Sequence, residues 1–65
     1  MPKQTFFNLS EEKRSKITSA ALEEFSEYSF SKSSINRIVA KAGIPKGSFY
    51  QYFKDKKDLY KHIMN

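Results

Sequence analysis

The sequence has no cysteine and no tryptophan, and it contains only two glycines, two prolines and one histidine. Without cysteine the chain can form neither a disulfide nor a thiolate metal site, and the lone His62 has no companion at a ligand spacing. Gly43 and Gly47 are too few for a glycine-rich phosphate loop, and no nucleophile and base are arranged for catalysis. The sequence therefore predicts a protein that is not an enzyme and has no metal site and no cofactor.

Long hydrophobic runs are also missing. The longest aliphatic run is Ile38, Val39 and Ala40, whereas about 20 apolar residues are needed to span a bilayer. The N-terminus does not have the pattern of a secretion signal. A chain of 65 residues is at most one domain with a small core, since a domain near this size buries only about 60% of its unfolded surface. We expect a soluble, cytoplasmic chain.

Acidic residues are scarce in the second half of the chain. Residues 1–32 carry five basic and five acidic side chains, whereas residues 33–65 carry seven basic and two acidic ones. The net charge of +5 therefore lies in the second half. Such a distribution of positive charge favours binding to a nucleic acid. Charge alone leaves two alternatives open, a solvated lysine-rich surface and binding to an anionic membrane surface.

Apolar spacing and capping residues predict four helices. Ser10 can cap the first, which opens with two glutamates and then places apolar residues three and four apart. Ser33 or Ser34 can cap the second, Gly43 can end it in the left-handed conformation, and Pro45 can begin the third after a short turn. The predicted helices are residues 10–28, 34–42, 45–53 and 55–65.

The apolar faces of these helices predict one shared core, made of Ile17, Ala21, Leu22, Phe25, Ile35, Ile38, Phe49, Phe53, Leu59 and Ile63. The charged face of the first helix is predicted to be solvated, and it holds Lys13, Lys16, Glu23, Glu24 and Glu27. Asp55 is expected to cap the fourth helix with Asp58 as its capping-box partner. Phe6 and Phe7 are expected to dock an N-terminal arm, residues 1–9, on the first helix, and Lys3 could follow a DNA backbone.

The third helix has two different faces. Phe49 and Phe53 are four residues apart, so they share one side and form the buried anchor. The rest of the helix is small and polar at its centre, with hydroxyls and a lysine around it: Lys46, Gly47, Ser48, Tyr50, Gln51 and Tyr52. A helix that seats against base edges in a DNA major groove needs such a centre, and the surrounding groups can hold phosphates. The tyrosines could instead cover the edge of a thin core or face an acidic protein.

The segment "SSINRIVAKAGIPKGSFYQYFKDKKDLY" closely resembles the helix-turn-helix signature of TetR-type transcriptional regulators, and "FFNLSEEKRSKITSAALEEF" resembles the helix that precedes it. The resemblance covers roughly residues 6–63. Its most specific positions are Gly43, Lys46, Gly47, Tyr50, Tyr52, Phe53 and Lys56. It implies an all-α, homeodomain-like domain over residues 10–65, with a three-helix unit, the start of a fourth, connecting helix, and the helix-turn-helix motif at about 34–53.

By position, the resemblance implies that the third helix enters the major groove of double-stranded DNA. It implies phosphate contacts from Ser34, Ser48, Tyr52 and Lys56. It implies proximity to base edges for Asn36, Lys46, Gly47, Tyr50 and Gln51. The implied function is sequence-specific DNA binding by a transcriptional regulator, by default a repressor. The alternative is a small basic helical protein-interaction module without DNA sequence specificity.

Members of this family continue with a helical domain that binds a small-molecule effector and forms a homodimer, which reads a palindromic operator. This sequence ends at Asn65, which leaves two alternatives, an unusually short gene product and an isolated DNA-binding domain. We expect the second, and we expect it to be monomeric or weakly associating. Ser29 stands where the family usually has glycine after the first helix. Because positive φ costs a non-glycine residue about 1–2 kcal/mol, we expect a reshaped loop there.

Overall fold

The computed structural model describes residues 2–64, and all of its regular structure within that range is helical. The helices are α1 (Gln4–Phe7), α2 (Glu11–Glu27), α3 (Ile35–Ala42), α4 (Lys46–Tyr52) and α5 (Lys56–Met64). The all-α prediction is confirmed, and α2 to α5 begin and end within one or two residues of the predicted bounds. The predicted end of the last helix, Asn65, and the first residue of the predicted arm, Met1, lie outside the described residues. The single turn α1 lies within that arm.

Local capping explains where the helices begin and end. The Ser10 hydroxyl accepts a hydrogen bond from the backbone N–H of Lys13 at 3.2 Å at the start of α2. Gly43 ends α3 with a φ of 74°, in the left-handed region that favours glycine. The Asp55 carboxylate accepts from the N–H of Asp58 at 2.8 Å at the start of α5. These local signals were all present in the sequence.

The core lies between α2, α3, α4 and α5, and α1 adds one ring to it. Its buried apolar side chains are Phe6, Ile17, Ala20, Ala21, Phe25, Ile38, Val39, Ala42, Phe49, Phe53 and Leu59. Ile35 and Ile63 are partly buried and pack against this cluster. Leu22 was expected in the core, but it is 48% exposed, because α2 turns it away from the neighbouring helices.

The N-terminal arm packs mainly on the end of α4 and on α5. The Phe6 ring lies 4.9 Å from the ring of Phe53 and 5.4 Å from that of His62. Phe6 is buried, whereas Phe7 is exposed. Phe6 is therefore the anchor of the arm, and its ring contacts are with the end of α4 and with α5, whereas the sequence predicted that both phenylalanines dock on the first helix.

Glu24 was predicted to be solvated, and that prediction is wrong, because its side chain is fully buried. Its Oε2 atom accepts hydrogen bonds from the backbone N–H of Ser34 at 2.9 Å and from Nε of Arg37 at 2.8 Å. Nη2 of Arg37 lies 2.7 Å from the same oxygen. A carboxylate can be buried when it is paired in this way, and the pair joins the middle of α2 to the start of α3.

The loop between α2 and α3 is reshaped relative to a glycine-closed helix end. α2 ends at Glu27, and Tyr28 is extended with a φ of −122°. Among the described residues no residue other than glycine has a positive φ, so Ser29 carries no left-handed strain. The N–H of Ser33 donates to the carbonyl of Ser29 at 2.8 Å and closes the turn. The loop thus reaches α3 without the backbone conformation that Ser29 would resist.

Candidate nucleic-acid interface

The two faces predicted for α4 are present in the structure. Phe49 and Phe53 are both fully buried, and their rings stack with centroids 5.5 Å apart. Gly47 and Gln51, four residues apart on the opposite side, are exposed. We call Gly47 and Gln51 the ridge of α4. A Cβ atom built on Gly47 would meet no atom of the described residues within 4 Å, so the ridge faces open space.

A shallow depression lies on one side of this ridge, and we call it the α3–α4 depression. Its lining residues are Ser33, Ser34, Ile35, Asn36, Lys46, Tyr50 and Lys56. The structure therefore brings together five of the nine residues that the sequence nominated as DNA contacts: Ser34, Asn36, Lys46, Tyr50 and Lys56. Two lysines and the start of α3 make this depression suitable for an anion.

Ser34 is the N-cap of α3, and its polar groups are partly in use. Its hydroxyl oxygen accepts from the N–H of Arg37 at 3.2 Å, and its own N–H donates to Glu24. A hydroxyl can donate while it accepts, so the hydroxyl hydrogen of Ser34 remains available to an external acceptor. The same serine can therefore cap the helix and contact a phosphate.

Arg37 stabilises this helix start from behind. Its Nη2 also donates to the carbonyl of Lys32 at 3.0 Å, and its guanidinium lies 4.2 Å from the ring centroid of Tyr28. The hydrogen bond from Arg37 lowers the pKa of Glu24 below its ordinary value of 4.5, although burial acts in the opposite direction. Glu24 is therefore a carboxylate at neutral pH, and it keeps Ser34 and the preceding loop in one position.

Lys56, at the start of α5, contacts the same loop. Its Nζ atom donates to the carbonyls of Phe30 at 2.7 Å and Ser33 at 3.1 Å. It also lies 4.5 Å from the centroid of the Phe30 ring. An ammonium group has three donors, so one N–H remains for an external anion. Lys56 thus has a structural role that the sequence did not reveal, in addition to the phosphate contact expected of it.

A second depression lies on the other side of the ridge, and we call it the α2–α4 depression. Its lining residues are Leu9, Lys13, Lys16, Ile17, Ala42, Gly43, Ile44, Pro45, Ser48 and Tyr52. It contains the two remaining nominated phosphate contacts, Ser48 and Tyr52, which are both half-buried. Sequence reasoning assigned Lys13 and Lys16 to a solvated face. Their spacing of three residues put them on one side of α2, but only the packing of α4 reveals what that side borders.

The spacing along α4 explains this arrangement. Lys46 and Tyr50, four residues apart, line the α3–α4 depression, and Ser48 and Tyr52, also four apart, line the α2–α4 depression. The ridge lines neither of them and runs between the two. Each flank thus carries a tyrosine and has lysines beside it.

Residues 2–64 contain neither a candidate metal site nor a candidate membrane span. No group of three histidine, aspartate or glutamate side chains in this range is placed to hold a metal ion. None of the helices in the same range has the length and hydropathy of a membrane span.

Comparison with known proteins relates the chain to bacterial regulators. Residues 17–63 match the family model of bacterial regulatory proteins of the tetR family. The chain is 48% identical over 59 residues to the uncharacterized HTH-type transcriptional regulator YvdT of Bacillus subtilis (strain 168). The aligned region covers 91% of this chain and 28% of the relative. It is 40% identical over 53 residues to the HTH-type transcriptional regulator AcrR of Shigella flexneri, with coverage of 82% and 25%.

A crystal structure of a TetR family transcriptional regulator from Chloroflexus aurantiacus J-10-FL has the same fold, with a TM-score of 0.90 and 58% sequence identity. The match covers 95% of this chain and 29% of that one. This chain thus spans between a quarter and a third of the length of the proteins it matches. The family model covers both helices of the helix-turn-helix motif and most of α5, and on these grounds the chain belongs to the TetR family of bacterial regulatory proteins.

Proposed function

We propose that this domain binds double-stranded DNA in a sequence-specific manner, with α4 in the major groove. One observation supports this above all: the exposed ridge of Gly47 and Gln51 runs between two depressions that each have lysines in their walls. A helix in the major groove has a phosphate backbone on either side and base edges in front. The ridge and the two depressions match those three surfaces.

The α3–α4 depression is proposed to hold the phosphates of one strand. Lys46 and Lys56 supply the positive charge, and the hydroxyls of Ser34 and Tyr50 supply hydrogen-bond donors. Asn36, in the first turn of α3, is close enough to this depression to approach a base edge at its rim.

The α2–α4 depression is proposed to hold the other strand. Ser48 and Tyr52 donate hydrogen bonds there, and Lys13 and Lys16 of α2 add charge. Lys16 lies 3.9 Å from Glu12 in an exposed pair, and pairs of this kind are worth little, so Lys16 can exchange that partner for a phosphate.

Base-edge recognition is proposed for the ridge. Gln51 carries an amide that can pair with adenine through two hydrogen bonds, and such a pair discriminates against other bases by about 1–3 kcal/mol. Gly47 lets the helix approach the bases because it presents no side chain. Lys46 and Tyr50 border the ridge and can reach the adjacent bases.

The remaining features belong to the whole regulator. The chain spans 28% and 25% of its two curated relatives, and we propose that the complete protein is a cytoplasmic homodimer that reads a palindromic operator. We further propose that it acts as a repressor and that a helical region outside residues 1–65 binds a small-molecule effector. A protein of this kind performs no catalysis.

Selection from a random DNA pool tests the proposal. Two domains joined by a C-terminal leucine zipper supply the avidity that a single domain lacks. We expect repeated selection to recover one common two-fold symmetric site. Gln51→Ala should change the preferred base at one position of each half-site, whereas Lys57→Ala should leave the preference unchanged. If no common site is recovered, the domain is the alternative, an interaction module without DNA specificity.

A further inference from the structure

The C-terminal end of α4 is held by residues that come before α2. The last carbonyls of any helix lack partners within that helix. Here the carbonyl of Tyr50 accepts from Nζ of Lys3 at 2.8 Å, and that of Tyr52 accepts from the backbone N–H of Lys3 at 2.8 Å. The carbonyl of Gln51 accepts from the hydroxyl of Thr5. Three consecutive carbonyls at the end of α4 therefore have donors from the N-terminal segment.

This contact is important because α4 is short. A helix of seven residues, Lys46–Tyr52, is far below the length at which helices persist on their own in water. Its last turn contains no basic residue, and the ammonium of Lys3 supplies the positive charge that favours a helix C-terminus. The N–H of Phe53 donates to the carbonyl of Phe49 at 2.9 Å, which completes the end of the helix.

The N-terminal segment is itself fixed to other parts of the domain. Phe6 is buried against Phe53 and His62. Nη1 of Arg14, on α2, donates to the carbonyls of Phe7 at 3.1 Å and of Leu9. The donors on Lys3 and Thr5 are therefore anchored through α2 and α5 and do not simply follow α4.

We propose that Lys3 and Thr5 are positioning residues for DNA recognition, forming a clamp on the end of α4 that fixes the angle of the ridge. The clamp acts on the carbonyls of Tyr50, Gln51 and Tyr52, and so on the half of α4 that carries the nominated contacts. This inference rests on the proposed DNA-binding function. It also gives Lys3 a different role from the phosphate contact that the sequence suggested.

Thr5→Val tests the clamp without changing any charge. Valine keeps the shape of threonine but loses the hydroxyl donor, Thr5→Ser keeps the donor, and Thr18→Val makes the same change on α2 away from α4. For each 65-residue chain we would measure amide hydrogen exchange by NMR without DNA. Binding would be measured by fluorescence anisotropy, with a duplex carrying one half-site from the random-pool selection.

In Thr5→Val, loss of one hydrogen bond should speed exchange of the Gln51, Tyr52 and Phe53 amides about fivefold relative to the Ala21 amide. The dissociation constant should rise by a similar factor, with an unchanged dependence on salt. Thr5→Ser should restore both the exchange rates and the dissociation constant. Thr18→Val should change neither the dissociation constant nor the exchange rates of these amides relative to the Ala21 amide. A purely structural role would instead speed exchange equally in α2 and α4.

Lys3→Met separates the clamp from a phosphate contact. If Lys3 acts through Tyr50, the variant should weaken binding and speed exchange in α4 without DNA. A phosphate contact would instead lower the salt slope by about 1 and leave exchange unchanged, and that result would overturn the role proposed for Lys3. If the original chain selects DNA but Thr5→Val binds equally well, the clamp is wrong and the proposed function stands. If the zipper-joined pair of original domains recovers no common site from the random pool, both are wrong.

Discussion

Replacing Gly47 by alanine should raise the stability of the domain and weaken its binding to DNA. Gly47 is the second residue of α4, and a Cβ atom there would meet nothing among the described residues within 4 Å. The added methyl group therefore causes no clash in the free domain. Alanine is favoured over glycine inside a helix by about 0.5–1 kcal/mol, which corresponds to a melting temperature about 2–8 °C higher for a domain of this size.

In the proposed complex, the same methyl group would project from the ridge toward the bases. If α4 seats closely in the major groove, the group must push the helix outward or displace its neighbours. Forcing an extra methyl into a packed surface costs about 1–3 kcal/mol. The dissociation constant should therefore rise about 5- to 150-fold.

Opposite signs make the result easy to interpret, because a better-folded variant that binds less tightly cannot have lost binding through unfolding. Thermal melting by circular dichroism gives the first quantity, and fluorescence anisotropy with a labelled duplex gives the second. Ser26→Ala is a suitable control, since it raises helix propensity at an exposed position on α2. Equally tight binding by Gly47→Ala would refute the close approach of the ridge to DNA.

Three other predictions follow from buried or paired side chains. Phe53→Ala should lower the free energy of unfolding by about 3–5 kcal/mol, which is as much stability as a core of this size supplies. The cooperative melting transition of this variant should therefore disappear. Lys56→Ala should weaken binding about equally on all DNA sequences and lower by about 1 the slope of the logarithm of affinity against the logarithm of salt concentration. It should also lower the melting temperature, because two loop carbonyls lose their hydrogen-bond donor. Glu24→Gln should lower the free energy of unfolding by about 2 kcal/mol at pH 7, because the acceptor of the hydrogen bonds from Ser34 and Arg37 is no longer charged. The melting temperature should fall by about 8–16 °C. Since the pKa of Glu24 is lowered in the folded state, its carboxylate stabilises the fold above pH 4.5. The difference in free energy of unfolding between the original protein and Glu24→Gln should therefore shrink as the pH falls through the lowered pKa.

Each of these predictions has a result that would contradict it. A cooperative transition near the original temperature in Phe53→Ala would remove that ring from the core. An unchanged salt slope in Lys56→Ala, with Lys57→Ala as the matched control, would remove Lys56 from the phosphate contacts. For Glu24→Gln, a difference in stability that stays constant between pH 7 and pH 3 would show that the carboxylate charge contributes nothing.

The helices could be predicted because the signals that begin and end them are local. Ser10, Ser34 and Asp55 cap helices in the structure as their positions in the sequence suggested, and Gly43 takes the positive φ expected of it. The distinction between the buried and exposed faces of α4 was also local, because it depends only on the spacing of Phe49 and the residues around it.

Contacts between distant residues could not be predicted. Glu24 lies in a charged stretch of α2, and nothing in that stretch announces that Arg37 will reach it from α3. The hydrogen bonds from Lys56 to the loop and from Lys3 to α4 likewise join residues 23 and 47 positions apart. The prediction that Leu22 is buried was wrong, because an apolar residue is buried only if another element covers it. None of the described elements covers Leu22.

The residues nominated for DNA binding differ in how far the fold depends on them. Ser34 caps α3 and Lys56 holds the loop between α2 and α3, so we expect substitutions at either position to change folding together with the phosphate binding proposed for these residues. Gly47 and Gln51 are exposed on the ridge, and the position of Gly47 has room for a side chain. Substitutions on the ridge should therefore change which DNA sequence is preferred at little cost in stability, because the lysines and hydroxyls proposed to hold the DNA backbone lie in the two depressions beside it.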